Sequence, residues 1–156
     1  MRSLLQREKR PDGTSGTRRQ SETDGSSIAE SGLFRIARVL FGAVLAFMAT
    51  DNLQNLEGRV QYAEMKNAPA PSFSVPAISG GLLFGGIGVA LWRVPAASAA
   101  AIAGFFASVT PVMHDFWNVD DPEEKQQQLT DFLKNTALLG AALAFLKLGR
   151  AQESDA

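Results

Sequence analysis

The chain has 156 residues, with 15 lysines and arginines against 16 aspartates and glutamates, and its net charge of −1 leaves no excess of cations for a nucleic-acid partner. It has no cysteine, which excludes disulfides, thiolate catalysis and Cys-ligated metal or iron–sulfur centres. It has one histidine, His114, which excludes a multi-histidine metal site within one chain, so no metal site is expected.

Residues 1–31 mix basic and acidic side chains with Gly, Ser and Thr, and hold almost no large apolar residue after Leu5. That composition predicts a disordered tail. Arg18-Arg19 matches a twin-arginine export signal only in the pair itself, because acidic and polar residues separate it from any apolar stretch. The apolar run at the start is too short for the hydrophobic region of a cleavable secretory signal.

Four apolar segments follow, at about 33–53, 75–92, 94–113 and 129–148. A helix needs roughly 20 mostly apolar residues to cross the hydrocarbon core. The second and third segments approach that length with no charge inside. The first reaches it by including Arg35, Arg38 or Asp51, and the fourth by including Asp131 or Lys134. The mean hydropathy of −0.01 is diluted by the polar tail. A soluble bundle is the alternative, but the second and third segments lack a polar face. In so short a chain, two such helices are hard to bury in a water-soluble core. The expected fold is all-α: an integral membrane four-helix bundle over residues 32–148 in the lipid bilayer of the cell membrane, with a short tail at 149–156.

The flanking charges predict the orientation. Arg35 and Arg38 precede the first span, Arg93 sits in the link between the second and third, and Lys147 and Arg150 follow the fourth. With four spans these positions share one side, and excess Lys and Arg marks the cytoplasm. Both termini are therefore expected to be cytoplasmic. The opposite side receives residues 51–74 and 114–130, the latter with Asp115, Asp120, Asp121, Glu123 and Glu124 against Lys125 alone.

Each span carries small residues four apart, which share a helical face. The sets are Gly42, Ala46 and Thr50; Ala77, Gly81 and Gly85; Ala96, Ala100, Gly104 and Ser108; and Thr136, Gly140 and Ala144. Such faces let backbones approach closely in lipid, within one bundle or in a homo-oligomer. Pro76 and Pro95 lie near helix starts, where proline is tolerated. Pro111 lies late in the third span, where it is expected to bend the helix near His114. The segment 67–71, Asn-Ala-Pro-Ala-Pro, predicts an extended, turn-like approach to the second span.

The candidate site gathers at the outer ends of the spans. Asp51 and Asn52 end the first, His114 and Trp117 follow the third, and Asp131, Lys134 and Asn135 open the fourth. Gln127, Asp131, Lys134 and Asn135 share one face by their spacing of three and four. One reading is structural. Asp131 suits a helix N-terminus, Lys134 neutralises it, and Trp117 anchors at the interface. The other is a polar pocket beside Phe116, Trp117 and Phe132 that holds a quinone head group. Lys134, Asn135 or His114 would donate hydrogen bonds to it, and His114 is of the residue type that most readily exchanges a proton near neutral pH.

Residues 114–125, His-Asp-Phe-Trp-Asn-Val-Asp-Asp-Pro-Glu-Glu-Lys, and 132–140, Phe-Leu-Lys-Asn-Thr-Ala-Leu-Leu-Gly, resemble the DoxX family of small four-helix membrane proteins. Residues 37–42, Ala-Arg-Val-Leu-Phe-Gly, and the glycine-rich stretch 80–88 add to the resemblance, which covers about 33–148. The version found in halophilic archaea is the most similar. The family takes its name from a thiosulfate:quinone oxidoreductase subunit, and other members are similar to components of oxidoreductase or redox-stress systems. The resemblance implies a membrane subunit of such a system. Without cysteine the chain cannot carry a persulfide, and its glycine-rich stretch lies in a span rather than after a strand, so it is no nucleotide fingerprint. Redox chemistry would need a bound quinone or a soluble or membrane redox partner. A non-catalytic scaffold docking a redox enzyme and, less well supported, a small solute carrier stay open. A carrier would favour charged or broken helices near mid-membrane.

Overall fold

A computed structural model describes residues 31–154 of the chain. These form α1 (Gly32–Gln54), α2 (Leu56–Met65), α3 (Pro71–Leu91), α4 (Pro95–Met113), a 3-10 turn η1 (Phe116–Asn118) and α5 (Pro122–Ser154). The expected disordered tail and the Arg18-Arg19 pair lie outside the described residues.

Helices α1, α3, α4 and α5 are each long and apolar enough to cross a bilayer. Their outward surface is apolar: Leu33, Leu40, Phe47, Phe73, Leu91 and Leu133 are all exposed. So broad an apolar surface is unstable in water and suits lipid. The protein is an all-α, multi-pass membrane bundle whose lipid-facing side chains carry no core role.

Helix ends follow local chemistry. Ser31 caps α1, its Oγ accepting from the Phe34 N–H at 3.2 Å. Pro71 and Pro95 occupy the first turns of α3 and α4, where a missing N–H costs nothing. Asp121 Oδ1 accepts from the N–H groups of Glu123 and Glu124, starting α5 at Pro122 rather than near 129. Helix α5 has 33 residues. At 1.5 Å per residue it is about 50 Å long, against about 30 Å of hydrocarbon, so both its ends project from the bilayer. Its last turns run past Leu148 and pack rather than trail: Gly149 is buried against Pro95 and Ala96.

The start of α1, the α3–α4 link and the end of α5 meet at one end of the bundle, termed basal here. Arg38 Nη1 donates to the Ala90 carbonyl at 2.9 Å and the guanidinium lies over the Trp92 ring. Phe34 and Phe145 also pack on Trp92, whose Nε1–H donates to Gln152. Trp92 caps α3 in the left-handed conformation, at φ 58°, a site where glycine is usual. Its ring contacts compensate that strain. The opposite, apical end carries α2, η1 and the first turns of α5.

The seams between spans rest on glycine. Gly42 of α1 meets the Gly86 backbone of α3, and a Cβ on Gly86 would stand 2.7 Å from Ala46 N and Gly42 O. Gly85 faces the other way, toward Ser98 and Ile102 of α4, and Gly88 meets Ser98. The four-residue spacing holds in part: Gly42, Ala46, Gly85 and Ala96 lie at seams, whereas Thr50 is exposed. Gly81, Gly104 and Gly140 have open space where a Cβ would go, and Ala100, Ser108, Thr136 and Ala144 are exposed. Helix α3 is gripped from two sides, so its packing glycines fall on two faces.

Segment 51–74, expected as a loop, contains the ten-residue α2. Asn55 breaks α1 from α2. Asn67 and Ala70 then adopt φ 54° and 45°, so the expected turn-like approach to α3 is made by a sharp turn. Helix α4 runs through Pro111 and stops two residues later, at Met113.

Candidate functional site

A cavity of about 410 Å³ opens at the apical end between α1, α2, α3, α4 and α5. Its size falls within the range of small-molecule sites, roughly 300–1,000 Å³. Ser79 lies eight residues into α3, and Phe105 lies eight residues before the end of α4. At 1.5 Å per residue the cavity reaches about 12 Å down the bundle, short of its middle.

The wall is apolar on the α3–α4 side, with Val75, Ile78, Phe105, Phe106 and Val109, and Leu138 of α5 continues it. Polar groups converge on the remainder. From the residues expected at the site, the structure brings together Asn52, His114, Asp131, Lys134 and Asn135 around this one cavity. Lys134 Nζ lies 3.3 Å from Asp131 Oδ1, with the lysine side chain 68% exposed. An exposed pair of this kind contributes under about 1 kcal/mol. Lys134 is therefore held toward the mouth while remaining free to reorient.

His114 Nδ1 stands 3.2 Å from Gln128 Oε1. With the amide in this orientation the oxygen accepts, so the contact is a hydrogen bond in the tautomer that carries a proton on Nδ1, and in that tautomer Nε2 is an acceptor. Gln128 is the α5 glutamine in contact with the histidine, while Gln127 is exposed and outside the cavity lining.

Two expected residues lie apart from the cavity lining. Asp51 pairs with Arg59, Oδ2 to Nη2 at 2.8 Å, and its Oδ1 accepts from Asn55 Nδ2 at 2.9 Å. Trp117 is half exposed and packs edge-on against Phe116 and Phe132, outside the cavity. Its amphipathic ring is placed as an interfacial anchor would be.

Three polar lining residues escaped the sequence reading, Arg59 and Tyr62 of α2 and Ser79 of α3, as did the apolar wall. Arg59 spans Asp51 and the cavity. Ser79 is only 2% exposed and lines the cavity.

Helix α2 is fastened over this end. Lys66 Nζ donates to Asp115 Oδ1 at 2.6 Å, with both side chains about one-fifth exposed. The Asp115 carboxylate holds the Lys66 ammonium above the ordinary lysine range. Asn118 Nδ2 also donates to Asp115, tying η1 to the same carboxylate.

The DoxX family model matches residues 33–115, more than half of the chain. The chain belongs to the DoxX family. In this DoxX protein the match takes in α1, α2, α3, α4 and the Lys66–Asp115 pair, while Asp131, Lys134 and Asn135 lie beyond it. A second family model, described as HR-like lesion-inducing, matches residues 89–148 and so covers α4 and the cavity-lining part of α5. Comparison with curated proteins gives no match, and comparison with solved structures gives none.

Proposed function

We propose that this DoxX-family protein is a membrane subunit of a quinone-linked oxidoreductase or redox-stress system, with the quinone head group held in the apical cavity. The observation that carries this reading is the lining itself. A flat aromatic head with carbonyl oxygens needs hydrogen-bond donors beside an apolar wall. Lys134, Asn135, Ser79 and Tyr62 supply donors, and Phe105, Phe106, Val109 and Leu138 supply the wall. The quinone would supply two-electron carrier chemistry, exchanging electrons with a soluble or membrane redox partner.

The residues of the chain divide the work between two forms of the head. Lys134 and Asn135 donate to carbonyl oxygens of the oxidised form. His114, with Nδ1 engaged by Gln128, offers Nε2 as an acceptor to a hydroxyl of the reduced form. In this reading the basal end, with Arg35, Arg38, Arg93 and Arg150, faces the cytoplasm, and the cavity opens on the outer side.

A second reading is a non-catalytic scaffold that docks a redox enzyme. The acidic apical surface at Asp120, Asp121, Glu123 and Glu124 favours it, being exposed or only partly covered. Equilibrium binding of a benzoquinone to the purified protein separates the two. The quinone reading expects saturable binding below about 1 mM, weakened by His114→Ala and by Lys134→Ala without loss of membrane insertion. Absence of binding would leave the scaffold.

A further inference from the structure

A second, smaller crevice of about 110 Å³ lies between the start of α3 and the end of α4. It shares Val75, Ile78, Val109 and Met113 with the main cavity, so the same four side chains wall both spaces. Its far side is formed by Ala68 and Pro69 of the α2–α3 link and by Ser108 and Val112 of α4.

The two spaces differ in chemistry. The main cavity is lined by two cations, a carboxylate, two asparagines and a histidine. The crevice holds no ionisable side chain and only two hydroxyls, Ser74 and Ser108. Both of these are already spent on backbone. Ser74 Oγ donates to the Pro69 carbonyl at 2.9 Å, and Ser108 Oγ donates to the Gly104 carbonyl at 2.8 Å. A serine bonded back to nearby backbone in this way presents its carbon skeleton rather than a donor. The crevice wall is thus apolar in effect.

The crevice lies on the lipid-facing side of α4. Ser108 is exposed and sits five residues before the end of α4, about 8 Å down the helix. Its neighbours Gly104, Ala107 and Pro111 are exposed on the same apolar span.

The geometry points to a tailed amphiphile as the ligand: a polar head in the apical cavity and an apolar chain leaving sideways between α3 and α4 into the bilayer. This rests on the quinone reading and adds the class of quinone, a lipid-resident one with a long apolar chain. Because lipid is as apolar as the crevice, the chain gains little by entering it. Its signature is steric: a plugged exit penalises only ligands that have a chain.

The test uses the full chain in lipid nanodiscs and two benzoquinones with the same head, one tailless and one carrying a decyl chain. Affinity is expressed per mole of lipid for the tailed compound, to remove partitioning. Ser108→Trp places a bulky ring at the exit from an exposed position, and Val112→Phe narrows it independently. Both variants are expected to weaken the tailed quinone about tenfold or more and to leave the tailless one within about twofold. Retained binding of the tailless compound shows that the fold and the head site are intact. Equal weakening of both compounds, or no effect on either, overturns the side exit while the quinone reading stands. Failure of the wild-type protein to bind either compound overturns the quinone reading and the side exit together.

Discussion

Lys66 and Asp115, 49 positions apart in sequence, form a 2.6 Å ion pair that fastens the end of α2 to the end of α4. It closes the apical end on the side where α2 brings Arg59 and Tyr62 to the cavity. Because the pair is largely shielded, removing one partner strands the other. Lys66→Ala and Asp115→Ala should each destabilise the protein by about 1–3 kcal/mol, and the double variant should cost clearly less than their sum. Thermal unfolding in mild detergent reads this cycle. The raised Lys66 value adds a pH signature. Its share of the stability is complete below the ordinary lysine range and is lost only as pH rises through the raised value. Unfolding of wild type and Lys66→Ala should therefore differ by a constant amount between about pH 6 and 9.

Gly86 and Gly81 give opposite expectations from the same helix. A Cβ at Gly86 would press on backbone atoms of α1 at 2.7 Å, and neither helix can yield locally. Gly86→Ala should cost about 2 kcal/mol or more, within the range for overpacked sites. At Gly81 nothing lies within 4 Å of the added carbon. Gly81→Ala should be neutral or stabilising by up to about 1 kcal/mol, from helix propensity.

Lys134 should matter more for binding than for folding. Its exposed 3.3 Å contact with Asp131 stabilises weakly. Lys134→Ala should change stability by less than about 1 kcal/mol yet weaken a benzoquinone by about tenfold. A stability loss above about 2 kcal/mol would assign Lys134 a structural role instead.

The topology is testable because the chain has no cysteine of its own. Single cysteines at Asp121 and Ser154 stand at the two ends of α5. In intact cells an impermeant thiol reagent should label Asp121→Cys and spare Ser154→Cys. The reverse pattern would invert the orientation, and labelling of both would break the four-span count.

The four spans and their alternation were legible because charge and apolar length are strong signals. Arg38, Trp92 and Gln152 indeed meet at one end, and Asn52, His114 and Lys134 at the other. Helix α2 was not legible. Its sequence, LEGRVQYAEM, carries only a narrow apolar stripe of Leu56, Val60 and Ala63, too weak a signal to announce a helix, so Arg59 and Tyr62 passed as loop residues. Ser79 gave no signal either, since one serine in an apolar helix is ordinary. Asp51 was grouped with Asn52 by adjacency, but neighbouring helical residues point about 100° apart, and Asp51 turns to Arg59 instead. Spacing likewise could not say which of the α3 glycines would meet a neighbour, because that depends on where α1 and α4 lie.

In the quinone reading the apical cavity is occupied in the native membrane. Mass spectrometry of lipids that co-purify with the protein in mild detergent tests it most directly. Wild-type protein is compared with a variant whose cavity is filled at Ser79→Phe, after matched membrane insertion and helical content are established. A tailed quinone should be enriched near one per chain in the wild type and depleted in the filled variant. Equal, background quinone content in the two would contradict it.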